Sequence, residues 1–471
     1  MSTILDGKRH IHMIGIGGSG MYPLAQVLHA KGYYLTGSDN NETDTLAAVR
    51  AMGIPVQLGQ RAENIEGADL VVYSAAIAKT NPERAAAEAS GVEMMERSEL
   101  LGLVSEWYSD AVCISGTHGK TTTTSMLAQI LFTAGIDLSA VIGGKLPAIG
   151  GSGRAGSSEV FVCEACEYVD TFLRLSPDIA VILNIDEDHM EYFHTLENLK
   201  ASFRKFAEKS SRYVLYNGDD ANTCDALKGL TGKTMIAYGK GEGCEWRAAD
   251  IVHEAEKTSF SVYSGGEKLG TAAILVPGEH NVLNALAAIA AAHLVGLNFD
   301  QCCAGLLEFH GAKRRFEIHA KVNGIDIADD YAHHPAEIAA TLRAAKAMPY
   351  KRVIAVHQPF TFTRTKRLLD DFAAALSIAD HVALTDIMGG REENTVGVFT
   401  RHLAEKIDGC IWFPQNENEP WTDTRKYANF DDVCAAVCKL ARPGDLIITL
   451  GCGDVNKLSK QIAETLKKQN P

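Results

Sequence analysis

The sequence lacks any apolar run long enough to cross a membrane. Spanning a bilayer takes ~20 consecutive apolar residues, and no stretch of the 471-residue chain approaches that length. The opening "MSTILDGKRHIHMIGIGG" has basic residues but no long apolar segment after them, as a secretory signal would have. We therefore expect a soluble, cytoplasmic protein without membrane insertion.

Basic charge and paired cysteines are also scarce. Lys and Arg total 45 against 59 Asp and Glu, a formal net charge of −14, which argues against a nucleic acid as partner because its phosphates need basic groups. The 11 cysteines are scattered apart from one CxxC, Cys163 and Cys166. Without a second CxxC or a His pair this spacing does not favour a zinc site, and we expect reduced thiols.

Three successive runs of alternating strands and helices make up most of the chain. Such alternation predicts α/β domains with largely parallel sheets and right-handed crossovers. We predict a Rossmann-like N-terminal domain (1–107), a central P-loop ATPase domain with a mostly parallel sheet (108–320) and a Rossmann-like C-terminal domain (321–471). The glycine-rich stretch 143–158 lacks apolar periodicity and is expected to form a mobile loop.

The segment "SGTHGKTTTTSM" follows a short apolar strand and leads into a helix, the layout of a phosphate-binding loop. Glycines let backbone N–H groups face a phosphate, Lys120 can reach outer phosphates, and the Thr121 hydroxyl can ligate Mg²⁺. Gly116 lies only three positions before Gly119, a shorter spacing than in the GxxxxGK[ST] pattern. A chance turn therefore stays an alternative. The expected ATP-binding residues here are Gly116, Thr117, His118, Gly119, Lys120, Thr121 and Thr122.

A second glycine turn, "GIGGSG", begins at Gly15, between a predicted strand and a predicted helix. It fits GxGxxG, and Asp39 follows Gly20 by 19 residues, as in a dinucleotide fingerprint. The physical requirement is a diphosphate on a helix N-terminus and a ribose hydroxyl near an acid. A UDP-sugar meets both conditions as well as a nicotinamide dinucleotide does.

Further motifs follow in a fixed order along the chain: "CEACEY", "NIDEDHMEYF", "GEHNVLNA", "GAKRRFE", "DDYAHHPAE" and "QPFTFTRT". With the shortened ATP loop, they resemble the Mur ligase family over nearly the whole chain. The resemblance implies a reaction that joins a carboxylate to an amine at the expense of ATP, through an acyl phosphate and with Mg²⁺. "HMIGIGGSGM" is similar to the branch that adds L-alanine to the lactyl carboxylate of UDP-N-acetylmuramate in peptidoglycan precursor synthesis.

The resemblance also implies roles for individual residues. Metal-binding positions are Thr121, Glu164 and His189; further ATP contacts are His280, Asn281, Asn284 and Arg315. Catalytic positions are Lys120, Asp330, His333 and Arg364, with Arg364 pairing with the carboxylate of L-alanine. The UDP-sugar site comprises Gly15, Gly17, Gly18, Ser19, Gly20, Ser38, Asp39 and Ser74.

Structural roles remain open for several of these residues. Asn281 could cap its helix, Arg315 could be an exposed helix-end arginine, and the turn at Asp330 could be purely structural. The sequence carries Phe360 and Thr361 where a common form of the motif, "QPHRYTRT", has His and Arg. Some relatives hold a second metal with a carbamylated lysine. Lys200, in "ENLK", lies nearby in the sequence but is not assigned to that role.

Two nucleotide turns in one chain favour the ligase interpretation. A redox cofactor at the first turn would leave ATP without a purpose, whereas a UDP-sugar that carries a carboxylate gives ATP a group to activate. The alternatives are a ligase that attaches a recycled murein peptide to the same sugar nucleotide, an NAD(P)-dependent dehydrogenase and a non-catalytic nucleotide-binding regulator.

Overall fold

The computed structural model describes residues 5, 7–254, 257–390, 392–414 and 429–469. It contains three sheets in a mixed α/β arrangement, which confirms the expected fold class. Among the described residues, no helix has both the length and the apolar character needed to cross a bilayer. The chain divides into two compact units, so the domain boundaries at 107 and 320 stay predictions. The units are Met1–Val252, Thr258–Leu275 and Val282–Ala312, and His253–Lys257, Val276–Asn281 and Lys313–Pro471.

The first sheet has five parallel strands in the order β3-β2-β1-β4-β5. Its order reverses at the central strand β1, and open α/β sheets bind ligands at such a point. The glycine turn directly follows β1. The elements are β1 His10–Ile14, α1 Tyr22–Ala30, β2 Tyr34–Asp39, α2 Asp44–Ala51, β3 Val56–Leu58, a 3₁₀ turn Ala62–Ile65, β4 Leu70–Tyr73, α3 Pro82–Ser90, β5 Glu93–Glu96 and α4 Arg97–Ser105.

Local sequence sets the ends of these helices. The Thr43 side chain accepts a hydrogen bond from Leu46 N at 3.1 Å and caps α2. Asn81 caps α3, which has Pro82 in its first turn and ends at Gly91 with φ 74°. A proline at the first turn and a left-handed glycine after the end are the residues that helix termini favour.

The second sheet has ten strands in the order β15-β14-β13-β12-β11-β10-β6-β9-β7-β8. Strand β6 pairs in parallel with β10 and β9, so the ATP loop after it lies at the middle of the sheet. The elements are β6 Asp110–Ser115, α5 Lys120–Thr133, β7 Ser139–Leu146, a 3₁₀ turn Pro147–Ile149, β8 Gly151–Arg154, β9 Val160–Glu164, a kinked segment Tyr168–Arg174, β10 Ile179–Ile182, α6 Met190–Phe193, α7 Leu196–Lys209, β11 Tyr213–Asn217, α8 Ala221–Leu227, β12 Thr234–Gly239, β13 Trp246–His253, β14 Thr258–Ser264, β15 Glu267–Ile274, α9 His280–Leu294 and α10 Phe299–Leu307.

The expected loop at 143–158 was wrong, because residues 143–146 and 151–154 belong to the antiparallel pair β7 and β8. Its glycines allow close packing instead of disorder. A Cβ on Gly153 would lie 2.4 Å from Pro23 Cβ, and one on Gly156 would lie 2.0 Å from the carbonyl oxygen of Asp137. The segment therefore packs tightly through its glycines as well as through two buried apolar side chains, Leu146 and Ile149, and periodicity cannot reveal such packing.

The third sheet has five strands in the order β16-β17-β20-β18-β19 and lies in the second unit. Only β16 is antiparallel to its neighbour. The elements are β16 Glu317–Val322, β17 Ile325–Asp330, α11 Pro335–Ala347, β18 Arg352–His357, α12 Phe362–Arg367, α13 Leu369–Leu376, β19 His381–Leu384, α14 Thr400–Ala404, α15 Phe430–Leu440, β20 Asp445–Leu450 and α16 Val455–Gln469.

The packing of the glycine-rich segment leads to a stability prediction. Gly156→Ala should lower the free energy of unfolding by about 1–3 kcal/mol, because the added methyl group would overlap backbone atoms. Gly151→Ala is the matched control, since its Cβ would meet only Tyr22 at 3.7 Å. Urea denaturation of both variants measures the effect, and equal midpoints for the two would contradict the packing described.

Candidate active site

The ATP loop after β6 has room only for glycine at two positions. A Cβ on Gly116 would lie 2.9 Å from Leu183 Cβ, and one on Gly119 would lie 2.6 Å from Asn284 Oδ1. Both glycines also have positive φ, 144° and 85°. The backbone of the loop is thus fixed by close neighbours in a conformation that other residues rarely adopt.

The remaining loop residues are held by the segment that follows β10. Thr117 N donates to the Asn184 carbonyl at 3.0 Å, and His118 N donates to the Asn184 side-chain oxygen at 2.8 Å. The His118 ring lies 3.2 Å from an Asp186 carboxylate oxygen. Thr122 is partly exposed in the first turn of α5. Asn184 was not predicted, although it fixes the loop from outside.

Lys120 pairs with a carboxylate that the sequence interpretation missed. Its Nζ lies 2.8 Å from Glu167 Oε2 and also donates to the carbonyls of Gly116 and Thr117 in its own loop. The Glu167 side chain is 2% exposed. Burial is the largest influence and opposes the charge of Lys120, but Glu167, together with Cys166 and Glu164, acts the other way, and the pKa of the ammonium group is raised. The loop lysine is therefore charged, with its N–H groups directed at its own loop.

The predicted metal residues Thr121 and Glu164 are brought together. The Thr121 hydroxyl donates to Glu164 Oε2 at 3.1 Å, and Gly143 N donates to Glu164 Oε1 at 2.5 Å. A hydroxyl and a carboxylate side by side at the ATP loop are oxygen ligands of the kind that Mg²⁺ prefers. The residues present fit that cation.

His189, the third predicted metal residue, contacts Glu191 and Tyr168. Its Nδ1 lies 3.4 Å from Glu191 Oε1, and its ring centroid lies 4.6 Å from that of Tyr168. His189, Val169 and Asp170 all have positive φ of 53–57°. Such strain in non-glycine residues, a β-branched one included, persists only where surrounding contacts impose it, and it is commonly found at functional sites.

Helix α9 carries His280, Asn281 and Asn284, the further ATP contacts that the resemblance implies. It begins at the exposed His280, so Asn281 lies inside the first turn, where its amide donates to Pro277 O at 2.6 Å instead of capping the helix. Asn284 is buried with its oxygen beside Gly119. Asn284 thus belongs to the loop's surroundings in the first unit.

The glycine turn after β1 is closed by β2. The N–H groups of Gly15 and Ile16 donate to the Ser38 carbonyl at 2.8 and 3.0 Å. Gly17 N donates to Asp39 Oδ2 at 3.1 Å, and a Cβ there would lie 2.9 Å from the same oxygen. The predicted acid therefore contacts the turn itself, and substitution of Gly17 would displace it.

The other predicted sugar-nucleotide residues lie around this turn. Gly18 and Ser19 are exposed at its tip and Gly20 is partly buried. Ser74 follows β4, which pairs with β1 up to Tyr73. These residues are therefore placed at the carboxyl end of the two central strands.

Ser38, predicted at the sugar-nucleotide site, directs its side chain into the protein, and its place among the sugar-nucleotide contacts stays a prediction. The residue is fully buried and its hydroxyl donates to Glu83 Oε2 at 2.6 Å. Glu83 is fully buried too; burial acts to raise its pKa, but hydrogen bonds from His12, Ser38 and Asn64 lower it. Ser38 supports the turn through its backbone, a role that the strand-end position alone does not reveal.

In the second unit, Asp330 at the end of β17 organises the neighbouring backbone. Its two oxygens accept hydrogen bonds from Phe316 N and Ala332 N, both at 2.7 Å. Burial raises the pKa of Asp330 to about 6, although nearby Arg315 acts in the opposite direction. The contacts show a loop-organising function for this carboxylate, and its catalytic role stays a prediction.

Tyr331, which follows β17, is surrounded by charged and titratable side chains. The guanidinium groups of Arg314 and Arg315 lie 5.0 and 5.2 Å from its ring centroid. The His333 ring is 5.7 Å away, and its Nδ1 lies 3.3 Å from Glu337 Oε2. The predicted residues Arg315, Asp330 and His333 thus belong to one cluster, while Arg314 and Glu337 were missed.

Arg364, predicted to bind the amino-acid carboxylate, is partly buried on α12. Burial raises the pKa of the Cys452 thiol to about 12, with Arg364 acting to lower it, so the two groups are neighbours. Phe360 packs against Gly390, whose Cβ would lie 3.3 Å from the ring. The residue that departs from the common motif is thus used in packing.

Lys200 lies between two carboxylates. Its Nζ is 2.9 Å from both Glu197 and Asp225. Hydrogen bonds to Asp225 and Glu197 raise the pKa of Lys200. This favours the ammonium form over the neutral amine that carbamylation requires.

Three family models match successive parts of the chain. They are the Mur ligase family catalytic domain at residues 10–108, the Mur ligase middle domain at 114–292 and the Mur ligase glutamate ligase domain at 314–453. A UDP-N-acetylmuramate–L-alanine ligase of Caldanaerobacter subterraneus subsp. tengcongensis is 41% identical over 99% of this chain and 100% of its own.

Solved structures agree in fold. The UDP-N-acetylmuramate-alanine ligase of Thermotoga maritima is similar with a TM-score of 0.79 and 25% identity, over 98% of this chain and 100% of that one. A murein peptide ligase of Psychrobacter arcticus is similar with a TM-score of 0.70 and 26% identity, over 98% and 99% of the two chains. Together with the ATP loop and the glycine turn, these matches show that the chain belongs to the Mur ligase family.

Proposed function

We propose that this Mur ligase joins L-alanine to the lactyl carboxylate of UDP-N-acetylmuramate, with ATP converted to ADP, in the cytoplasmic synthesis of peptidoglycan precursors. The observation that carries the proposal is the presence of two separate phosphate-type turns, after β1 and after β6. One would bind the diphosphate of the sugar nucleotide and the other ATP. The name of the 41%-identical relative supports L-alanine as the amine.

The chemistry begins with a carboxylate, which is a poor electrophile. Its oxygen attacks the γ-phosphorus of ATP, ADP leaves, and the resulting acyl phosphate carries a phosphate leaving group. The amino group of L-alanine then attacks the carbonyl carbon, expelling phosphate and losing a proton, to form the amide. Each step gathers negative charge that residues of the site must offset.

In the first unit, Lys120 would turn from Glu167 to the outer phosphates of ATP. Thr121 and Glu164 would hold Mg²⁺, which when bound offsets the charge of the phosphates. His189 is a further candidate ligand, on a strained backbone. In the second unit, Arg315 would contact nucleotide phosphate.

Arg364 of the second unit would fix the carboxylate of L-alanine. A guanidinium matches a carboxylate with two parallel hydrogen bonds, which orients the amino acid as well as binding it. Asp330 would hold the backbone at the end of β17 in place, and His333 would contribute to the charge around it. A recycled murein peptide as the amine is the remaining alternative within the family.

The ATP loop is tested by a double variant, because Lys120→Ala alone would leave Glu167 buried without its cation at a cost of about 3–5 kcal/mol. Lys120→Met combined with Glu167→Gln removes both charges. We expect a folded protein whose rate of ADP release falls on the order of a hundredfold or more, as when a transition-state donor is lost. Glu167→Gln alone is the control that keeps the lysine. Near-normal turnover by the folded double variant would exclude this role of Lys120.

The magnesium site is tested by Glu164→Gln. The Mg²⁺ concentration that gives half-maximal rate should rise by at least the roughly tenfold that loss of an outer-shell partner costs. Glu159→Gln, at an exposed position just before β9, is the control. Magnesium titrations of ADP release compare the two, and an unchanged midpoint for Glu164→Gln would place the cation elsewhere.

The amino-acid site is tested by Arg364→Ala. The KM for L-alanine should rise about tenfold to a hundredfold while that for ATP changes little, because a charge-assisted hydrogen bond contributes ~1.5–3 kcal/mol. Arg367→Ala, at an exposed position of the same helix, is the matched control. Steady-state kinetics decide the matter, and a change confined to the KM for ATP would refute the assignment.

A further inference from the structure

One arginine outside the predicted sites lies directly beside the first glycine turn. Arg97 is the first residue of α4 and is partly buried. An ideal Cβ on Gly20 would lie 3.1 Å from its Cδ, 3.3 Å from Nε and 3.4 Å from Nη1. The guanidinium group therefore adjoins the last glycine of the GxGxxG turn.

Arg97 has no hydrogen bond or ion pair within the part of the chain that the structure describes. Its acidic neighbours are used elsewhere: Glu96 accepts from Ser98 N at 2.8 Å, and Glu99 Oε1 lies 3.5 Å from Arg174 Nη1. A partly buried cation without an anion loses hydration that no protein group replaces. Its position thus favours an anionic ligand.

The turn itself has few backbone donors left for a phosphate, and a nearby cation would offset this shortage. The N–H groups of Gly15 and Ile16 donate to the Ser38 carbonyl and Gly17 N donates to Asp39, so these backbone donors are taken, and a carboxylate stands close to the turn. In a chain with a net charge of −14, an anion depends on local positive groups. Arg97 is such a group at this turn.

We propose that Arg97 binds the diphosphate of the sugar nucleotide at the glycine turn. The inference rests on the proposed function, which makes this turn the UDP-sugar site. The planar guanidinium offers parallel N–H donors that match two phosphate oxygens, and the N-terminus of α1 adds the positive end of its helix dipole.

Calorimetric titrations with UDP-N-acetylmuramate, UDP, uridine and a non-hydrolysable ATP analogue test the proposal. Arg97→Ala should weaken binding of UDP-N-acetylmuramate and UDP alike by about tenfold to a hundredfold, with uridine and the ATP analogue unchanged. Arg97→Lys should recover part of the loss, because it keeps the charge without the fork. Arg50→Ala, which removes a surface pair with Glu42, is the control.

The outcomes separate this inference from the proposed function. Unchanged affinity of a folded Arg97→Ala for UDP would overturn the inference, and so would a loss confined to UDP-N-acetylmuramate, which would assign Arg97 to the lactyl carboxylate. If Arg97→Ala does not fold, Arg97→Lys must still weaken UDP binding relative to wild type. Wild-type binding of NADH without any UDP-sugar would contradict the proposed function, and Arg97→Ala with NADH would then test the diphosphate contact.

Discussion

Close packing around the backbone at the ends of two central strands, β1 and β6, constrains everything else in the first unit. At both ends a side chain larger than hydrogen would collide with a neighbour: Asp39 at Gly17, Leu183 at Gly116 and Asn284 at Gly119. The turns are thereby held in one conformation with a helix N-terminus behind them. An acidic chain would bind two anionic nucleotides at such places, where helix N-termini and single basic side chains supply local positive charge.

The charged side chains that assist these turns are arranged differently. Lys120 is paired with a buried carboxylate, Glu167, and with its own loop. ATP phosphates would therefore have to compete for a lysine that is already compensated, which keeps the loop compact before the nucleotide arrives. Arg97, by contrast, has no such partner among the described residues and adjoins its turn directly.

Local patterns predicted the first elements well, because strand and helix signals there are uninterrupted: the strand and the helix predicted on either side of the first glycine turn are present as β1 and α1. The failures concern contacts between distant segments. The glycines of 143–158 were interpreted as a loop although Gly153 and Gly156 pack against other elements, and the hydrogen bond of the Ser38 hydroxyl to Glu83 was not foreseen. Glu167, Asn184 and Arg97 were missed for the same reason, since the residues that they adjoin are dozens of positions away. The loop pattern and the family motifs named Thr121 and Glu164 as candidate metal ligands, and their side chains are in contact.

The account's central claim is that the two turns bind the two nucleotides of one amide-forming reaction. ADP release with UDP-N-acetylmuramate, measured against a panel of L-alanine, glycine, L-serine and a murein peptide, tests it most directly. The account predicts release that requires both the sugar nucleotide and an amine, and that is fastest with L-alanine. Release that responds to the peptide and not to L-alanine, or that is independent of the sugar nucleotide, would contradict it.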